Sequence, residues 1–191
     1  MAIKVEHRQV IIIGAGPAGS ACAQKLSESG VDVLVIERRD IIGNPAQCGE
    51  CIPNWGEVIA TFSNLDDHQW LKTYFDFPDR LRLHRLDNMR VFLPSGKSYN
   101  FELDAFSGHR LQFDGFLGEK AIQAGAEIRC GEALKKIQHQ SKSNRDILVT
   151  DKGRYSCDYL IDGIIQSISA VKYSTMERTW RQLYTYYTQT E

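Results

Sequence analysis

Long hydrophobic runs are missing from this sequence. The N-terminal stretch MAIKVEHRQVIIIGAGPAG resembles a leader, yet its unbroken apolar run, Val10–Ile13, lasts four residues before glycine interrupts it. A secretory leader needs an apolar core of about 7–15 residues and a membrane-spanning helix about 20, so neither is expected. Excess charge is missing too: 23 Lys and Arg stand against 24 Asp and Glu, a net charge of −1. That argues against nucleic acid or any other partner held by a bulk basic field. A disulfide framework is also lacking. The five cysteines, Cys22, Cys48, Cys51, Cys130 and Cys157, are odd in number and widely spread, which fits a reducing compartment. The expected location is the cytoplasm, and a peripheral contact with a membrane is compatible with it. Paired metal-ligand spacing is absent as well: Cys130 and Cys157 are isolated, and His7, His68, His84, His109 and His139 form no pair. A structural zinc needs four ligands, so no metal site is expected.

What is present is the composition of a soluble globular chain. Hydrophobic residues make up 42% and charged residues 25% of 191, enough for one domain with a core or one domain and an appendage. Gln9–Ile13 reads as a strand buried on both faces. Ala21, Ala23 and Leu26 give the next segment a helical stripe that stops at Gly30. Residues 31–37, VDVLVIE, read as a second buried strand, completing a βαβ unit. A loop is expected over 38–56. Short helices are expected at 54–62 and 66–74, and strands at 80–86, 89–93 and 97–103, the last two joined by the turn PSGK. Leu111, Phe113, Phe116, Leu117, Ala121 and Ile122 mark an amphipathic helix ending at Gly125. After it come a strand at 126–130 and a small β-meander from 133 to 161. The tail from Gly163 changes character, with Trp180, Tyr184, Tyr186 and Tyr187 among polar residues.

Gly14-Ala15-Gly16-Pro17-Ala18-Gly19 is the first segment with chemistry. A G-x-G-x-x-G pattern alone is a weak signal. Here it follows a buried strand and opens a helix, and Glu37 closes the next strand. Gly14 permits the tight turn, Gly16 lets a pyrophosphate approach the backbone, and Gly19 lets helix pack close to strand, with Ala23 keeping it close. The helix start offers N–H groups and partial positive charge to phosphate, and Glu37 can accept from an adenosine ribose. Glu37 disfavours a 2′-phosphate, although Arg38 and Arg39 keep that reading open. The fingerprint does not choose between NAD and FAD.

NPAQCGECIP, residues 44–53, holds Cys48 and Cys51. Such a pair suits zinc, thiol–disulfide exchange, or a cofactor loop doing neither. Zinc lacks its second pair. A thioredoxin-like pair belongs at a helix start after a strand, whereas this one lies in a Pro/Gly-rich loop. Cys22, at a small-residue helix position, reads as packing. His109 reads as a surface residue ahead of an active-site acid. An arginine at a helix start, Arg110, suits a phosphate.

Three segments in order, GAGPAGSACAQKL, VLVIERRDIIGNPAQCGE and HRLQFDGFLGEKAIQAGAEI, resemble the geranylgeranyl reductase family of flavoproteins, related to p-hydroxybenzoate hydroxylase. The resemblance covers residues 8–162 and implies an α/β, Rossmann-like FAD-binding domain (1–162) with a β-meander and a hairpin insertion (75–108), followed by a divergent tail (163–191). It implies FAD contacts from Gly14, Ala15, Gly16, Pro17, Ala18, Gly19, Glu37, Arg38, Cys48, Gly49, Cys51 and Arg110, with backbone contacts to adenine at Leu134. Cys48 matches the cysteine of the family's P-x-x-C-G-E loop and is implied as the catalytic-site residue lining the flavin or the substrate channel. Cys51 departs from the pattern, standing where CGEG members carry glycine, and it allows a Cys48–Cys51 disulfide beside a redox cofactor.

The implied activity is FAD-dependent reduction of isoprenoid C=C bonds in a prenyl lipid, with a nicotinamide or a ferredoxin as reductant. A flavin monooxygenase of the same superfamily and a non-catalytic FAD-binding fragment are the alternatives. The last is in view because the chain is expected to be truncated. Family members are about twice as long, and LIDGIIQS (160–167) resembles the family's Leu-Ile-Asp-Ala-x-Gly with two residues absent.

Overall fold

The computed structural model describes residues 4–46, 48, 51–61, 71–138 and 147–163. Two sheets and three helices make up its described part. The larger sheet has six strands in the order β6-β2-β1-β9-β8-β7. These are β1 (Glu6–Ile13), β2 (Val33–Ile36), β6 (Glu127–Arg129), β7 (Leu134–Gln138), β8 (Ile147–Thr150) and β9 (Arg154–Asp162). β1 pairs parallel with β2 on one side and β9 on the other, β2 pairs parallel with β6, and β7-β8-β9 run antiparallel. The meander is therefore continuous with the parallel sheet through β9.

β1 and β2 are apolar throughout their paired segments because both faces of the sheet are covered. Alternate residues point to opposite sides. Val10, Ile12, Val33 and Val35 pack with Ala23 of α1 (Pro17–Glu28) and Ala121 of α3 (Arg110–Gln123). Ile11, Ile13, Leu34 and Ile36 pack on the other side with Leu148, Tyr155 and Cys157 from the meander. Cys22 packs at the margin of the first cluster, as expected of a small helical residue.

The smaller sheet has the order β3-β5-β4, from β3 (Cys51–Pro53), β4 (His84–Phe92) and β5 (Ser98–Ser107). Ile52, Phe77, Leu81, Phe106, Phe113 and Leu117 form the core that seats it on α3. α2 (Trp55–Thr61) follows β3 directly.

Several expectations change. Residues 38–56 are not loop throughout, because Cys51–Pro53 form β3 against β5. No periodicity marks a three-residue strand whose partner lies some 50 positions away. The strands expected at 80–86 and 89–93 are one strand, β4, crossed by a bulge: Leu86 pairs with Ala105 but Asn88 with Glu102, so β5 carries one extra residue. Residues 79–81 form a 3-10 turn rather than the start of that strand. Of the helix expected at 66–74, residues 71–74 form a 3-10 turn, and 66–70 lie outside the described residues. The tail from 164 onward also lies outside them. No helix among the described residues is long and apolar enough to cross a membrane.

Candidate dinucleotide site

The turn between β1 and α1 is built on glycine for distinct reasons at its positions. Gly14 takes φ +97°, a region that only glycine enters freely, and its N–H donates to Ile36 O at 2.8 Å. Gly19 lies so close to this turn that an added Cβ would stand 2.0 Å from Gly14 O. At Gly16 the reverse holds: an added Cβ would meet nothing within 4 Å. The space there is open, and α1 carries no side-chain cap. Pro17 at the first helical position has no N–H to lose, while the N–H groups of Ala18 and Gly19 lie in the turn where a helix leaves its donors without intrahelical partners. Ala15 is fully buried. An open approach, uncapped donors and the helix dipole fit a pyrophosphate.

Glu37 is buried at the end of β2, and both carboxylate oxygens are engaged. Oε2 accepts from Ala15 N–H at 2.8 Å and Oε1 from Arg39 N–H at 2.9 Å. The carboxylate therefore ties the phosphate turn to the chain leaving β2. Each oxygen has a second lone-pair direction for a ribose hydroxyl. Arg38 next to it is exposed. Glu132 N–H donates to Glu37 O at 2.9 Å and Gly131 N–H to Arg39 O at 2.8 Å. These bonds lay the segment leading to Leu134 alongside Glu37. Leu134 itself is half-buried and packs on the second core cluster.

A second group forms around Arg110. Its Nε and Nη2 donate to Asp114 Oδ1 and Oδ2, each at 2.8 Å, and Asp114 is 3% exposed. The guanidinium also hydrogen-bonds the Cys48 side chain, and Asp114 first, Cys48 after it, hold its pKa above the ordinary arginine value. Asp114 takes two of five donors, so the clamp orients Arg110 without exhausting it. The loop carrying Cys48 is seated here by two close approaches. Gly43, at φ +79°, lies where a Cβ would come within 3.0 Å of Arg110 O and Asp114 Cβ, and Ile42 lies against Gly118.

Cys48 and Arg110, from motifs some 60 residues apart, thus meet. Cys51 is carried away into β3 opposite Ser107; both cysteines are exposed thiols rather than halves of a disulfide. Gly49 lies outside the described residues. His109 is exposed at the start of α3.

Three residues escaped the sequence reading. Asp114 was legible as the i+4 partner of Arg110. Gly43 carried only the signal of a glycine in a loop. Gly163 sits against the phosphate turn: its N–H donates to Ile13 O at 2.9 Å, and a Cβ there would come within 3.0 Å of that oxygen and 3.4 Å of Gly19 Cα. The register of β9 on β1, a pairing of strands distant in sequence, is what brings it there.

Comparison with known proteins agrees with this geometry. A family profile described as NAD(P)-binding Rossmann-like domain matches residues 12–76. A Methanosarcina barkeri protein, described as uncharacterized and lying in the nifH2 5′ region, is 36% identical over 129 residues, 68% of each chain. Digeranylgeranylglycerophospholipid reductase 2 of Methanopyrus kandleri is 34% identical over 119 residues, 62% of this chain and 27% of that one. The corresponding reductase of Methanosarcina acetivorans is 32% identical over 126 residues, 28% of its length. Among solved structures, a geranylgeranyl bacteriochlorophyll reductase-like protein from Thermoplasma acidophilum aligns with a TM-score of 0.65 at 20% identity, covering 83% of this chain and 39% of that one. The myxobacterial FAD-dependent halogenase CndH aligns at 0.60 and 18%, covering 82% and 37%. These two likenesses speak to fold alone.

Proposed function

Because this chain belongs to the geranylgeranyl reductase family of flavoproteins, spanning little more than a quarter of the length of the curated reductases it matches, we propose that it binds FAD and serves the reduction of isoprenoid C=C bonds in prenyl lipids. The observation that carries this reading is the contact between Cys48 and Arg110, held by buried Asp114 on a domain whose phosphate turn is open. Gly14–Gly19 and the start of α1 take the pyrophosphate, Glu37 and Arg38 the adenosine ribose, and the backbone near Leu134 the adenine. Arg110 is directed toward the cofactor by Asp114, with Cys48 beside it at the reacting face. The chemistry that reduced flavin would supply, when bound, is hydride for one alkene carbon, with a proton going to its neighbour. The chain's own share is to bind and to orient. The electrons come from a nicotinamide or a ferredoxin.

A second reading, FAD binding without turnover, is favoured by the small share of the reductases' length that the chain spans. Purified protein titrated with FAD separates the cases. Stoichiometric uptake with visible flavin absorption supports the cofactor assignment, and colourless protein that takes up no FAD overturns it. Anaerobic saturation of a prenyl lipid by the loaded protein supports the reductase, substrate-coupled oxygen consumption points to a monooxygenase, and neither leaves the non-catalytic reading.

A further inference from the structure

The β4–β5 hairpin separates its charges along its length. Asp87, Glu102 and Asp104 lie toward its base, whereas residues 89–101 contain Arg90 and Lys97 and no carboxylate. The same stretch holds most of its large apolar side chains in water: Phe92 is 68% exposed, Tyr99 51%, Phe101 49% and Met89 47%, with Val91 and Leu93 exposed beside them.

The pairing register distributes these residues around the tip. Met89 faces Phe101 and Val91 faces Tyr99, so these four share one side of the hairpin. Phe92, opposite Ser98, points to the other side. A protein partner seated on the first face would leave Phe92, the most exposed of them, in water. A lipid interface surrounds an inserted tip and accepts both sides. Residues 91–93 and 97–99 lie within about 10 Å of the turn at about 3.4 Å per residue, the depth to which amphipathic elements sink into a headgroup boundary. Arg90 and Lys97, in a stretch without carboxylates, complement lipid phosphate.

We propose that the tip of this hairpin docks the protein on an anionic membrane surface, with Val91, Phe92, Leu93 and Tyr99 entering the headgroup boundary and Arg90 and Lys97 meeting lipid phosphates. The inference rests on the hairpin's own chemistry and stands apart from the FAD assignment. It is tested by co-sedimentation of the full chain with vesicles of phosphatidylcholine containing phosphatidylglycerol, and with phosphatidylcholine alone. Binding to the anionic vesicles is expected, weaker to the neutral ones and weakened by salt. Lys97→Gln lowers the partition about five-fold. The double variant Phe92→Ser, Tyr99→Ser abolishes sedimentation while circular dichroism and the melting temperature stay unchanged, since both side chains are exposed. Equal binding to both vesicle types, no binding to either, or undiminished binding of the double variant overturns the proposal. So does a dimer in light scattering that the double variant dissociates, because a second copy would then cover the hairpin. Failed FAD uptake with intact vesicle binding would count against the cofactor reading alone.

Discussion

Gly16 and Gly19 are three residues apart in one motif, and the structure separates what each does. At Gly19 a methyl group would sit 2.0 Å from Gly14 O, about 1 Å inside the closest approach that real Cβ atoms make, and the obstacle is backbone. Gly19→Ala must push α1 off the β1 turn. Overpacking of this kind costs about 1–3 kcal/mol, and at about 2–4 °C per kcal/mol for a chain of this size the melting temperature falls by about 2–12 °C. At Gly16 the backbone is extended, φ −70° and ψ −178°, and a Cβ has open space. Gly16→Ala therefore leaves the ligand-free protein as stable as before, or more stable by about 0.4–1 kcal/mol through loss of unfolded-state entropy. Its methyl group stands instead where a pyrophosphate would approach the turn. Thermal melts of the apo-proteins, paired with FAD titration, read the two effects apart. Gly16→Ala should lose affinity at full stability, and Gly19→Ala should lose stability first. If Gly16→Ala melted as low as Gly19→Ala, or bound FAD as tightly as the unaltered chain, the two glycines would not divide the labour in this way.

Other expectations follow from the same contacts. Asp114→Asn removes the charge-assisted clamp on Arg110; it should destabilise by about 1.5–3 kcal/mol in urea unfolding and weaken FAD binding, and unchanged affinity would show that the clamp does not orient the cofactor's partner. Gly43→Ala forces a side chain into a φ of +79° against α3; a loss of about 1–3 kcal/mol is expected, with limited proteolysis cutting faster near residues 38–48. Glu6 has its carboxyl pKa lowered from 4.5 to about 2, by Arg129 first, against the opposing effect of burial, with Arg8 adding to it. Its contribution is thus fully present above pH 4.5 and lost as pH falls toward 2; it is modest because the side chain is 38% exposed. Melting curves of Glu6→Gln should show a weaker acid dependence over that window. In thiol alkylation, exposed Cys48 and Cys51 should react ahead of buried Cys157, and ahead of Cys22 and Cys130, whose thiols burial holds protonated. Fewer than five reactive thiols after denaturation without reductant would demonstrate a disulfide.

The parts of the fold written in local periodicity were legible: β1, α1, β2 and α3 stand close to where apolar spacing and glycine stops put them. The phosphate turn was legible for the same reason, since strand, glycines, helix and acid follow one another within about 30 residues. What escaped depends on partners far away in sequence. β3 exists because β5 offers it a ladder, and the bulge at Leu86 merges two apparent strands because the partner carries the extra residue. The second half of the site is of this kind. Arg110 read as a fork suited to phosphate, and what the sequence did not show is the buried carboxylate and the thiol that hold it. Cys48 and Cys51 looked like a pair, yet one faces Arg110 and the other enters a strand.

The placement of Gly163 also bears on how the protein is made. The turn that opens at Gly14 is synthesised long before β9, and β1 lies between a neighbour made at once, β2, and one made late, β9. Gly163 reaches the turn only when β9 is laid down. Until then one edge of β1 lacks its ladder and the floor of the phosphate turn lacks its last contact. Pairings so distant in sequence form late, because loop closure must precede any reward from contact. A nascent chain that has displayed its whole glycine motif is therefore still without a finished nucleotide site, and its apolar strand edge stays exposed for most of the time that synthesis of the domain takes.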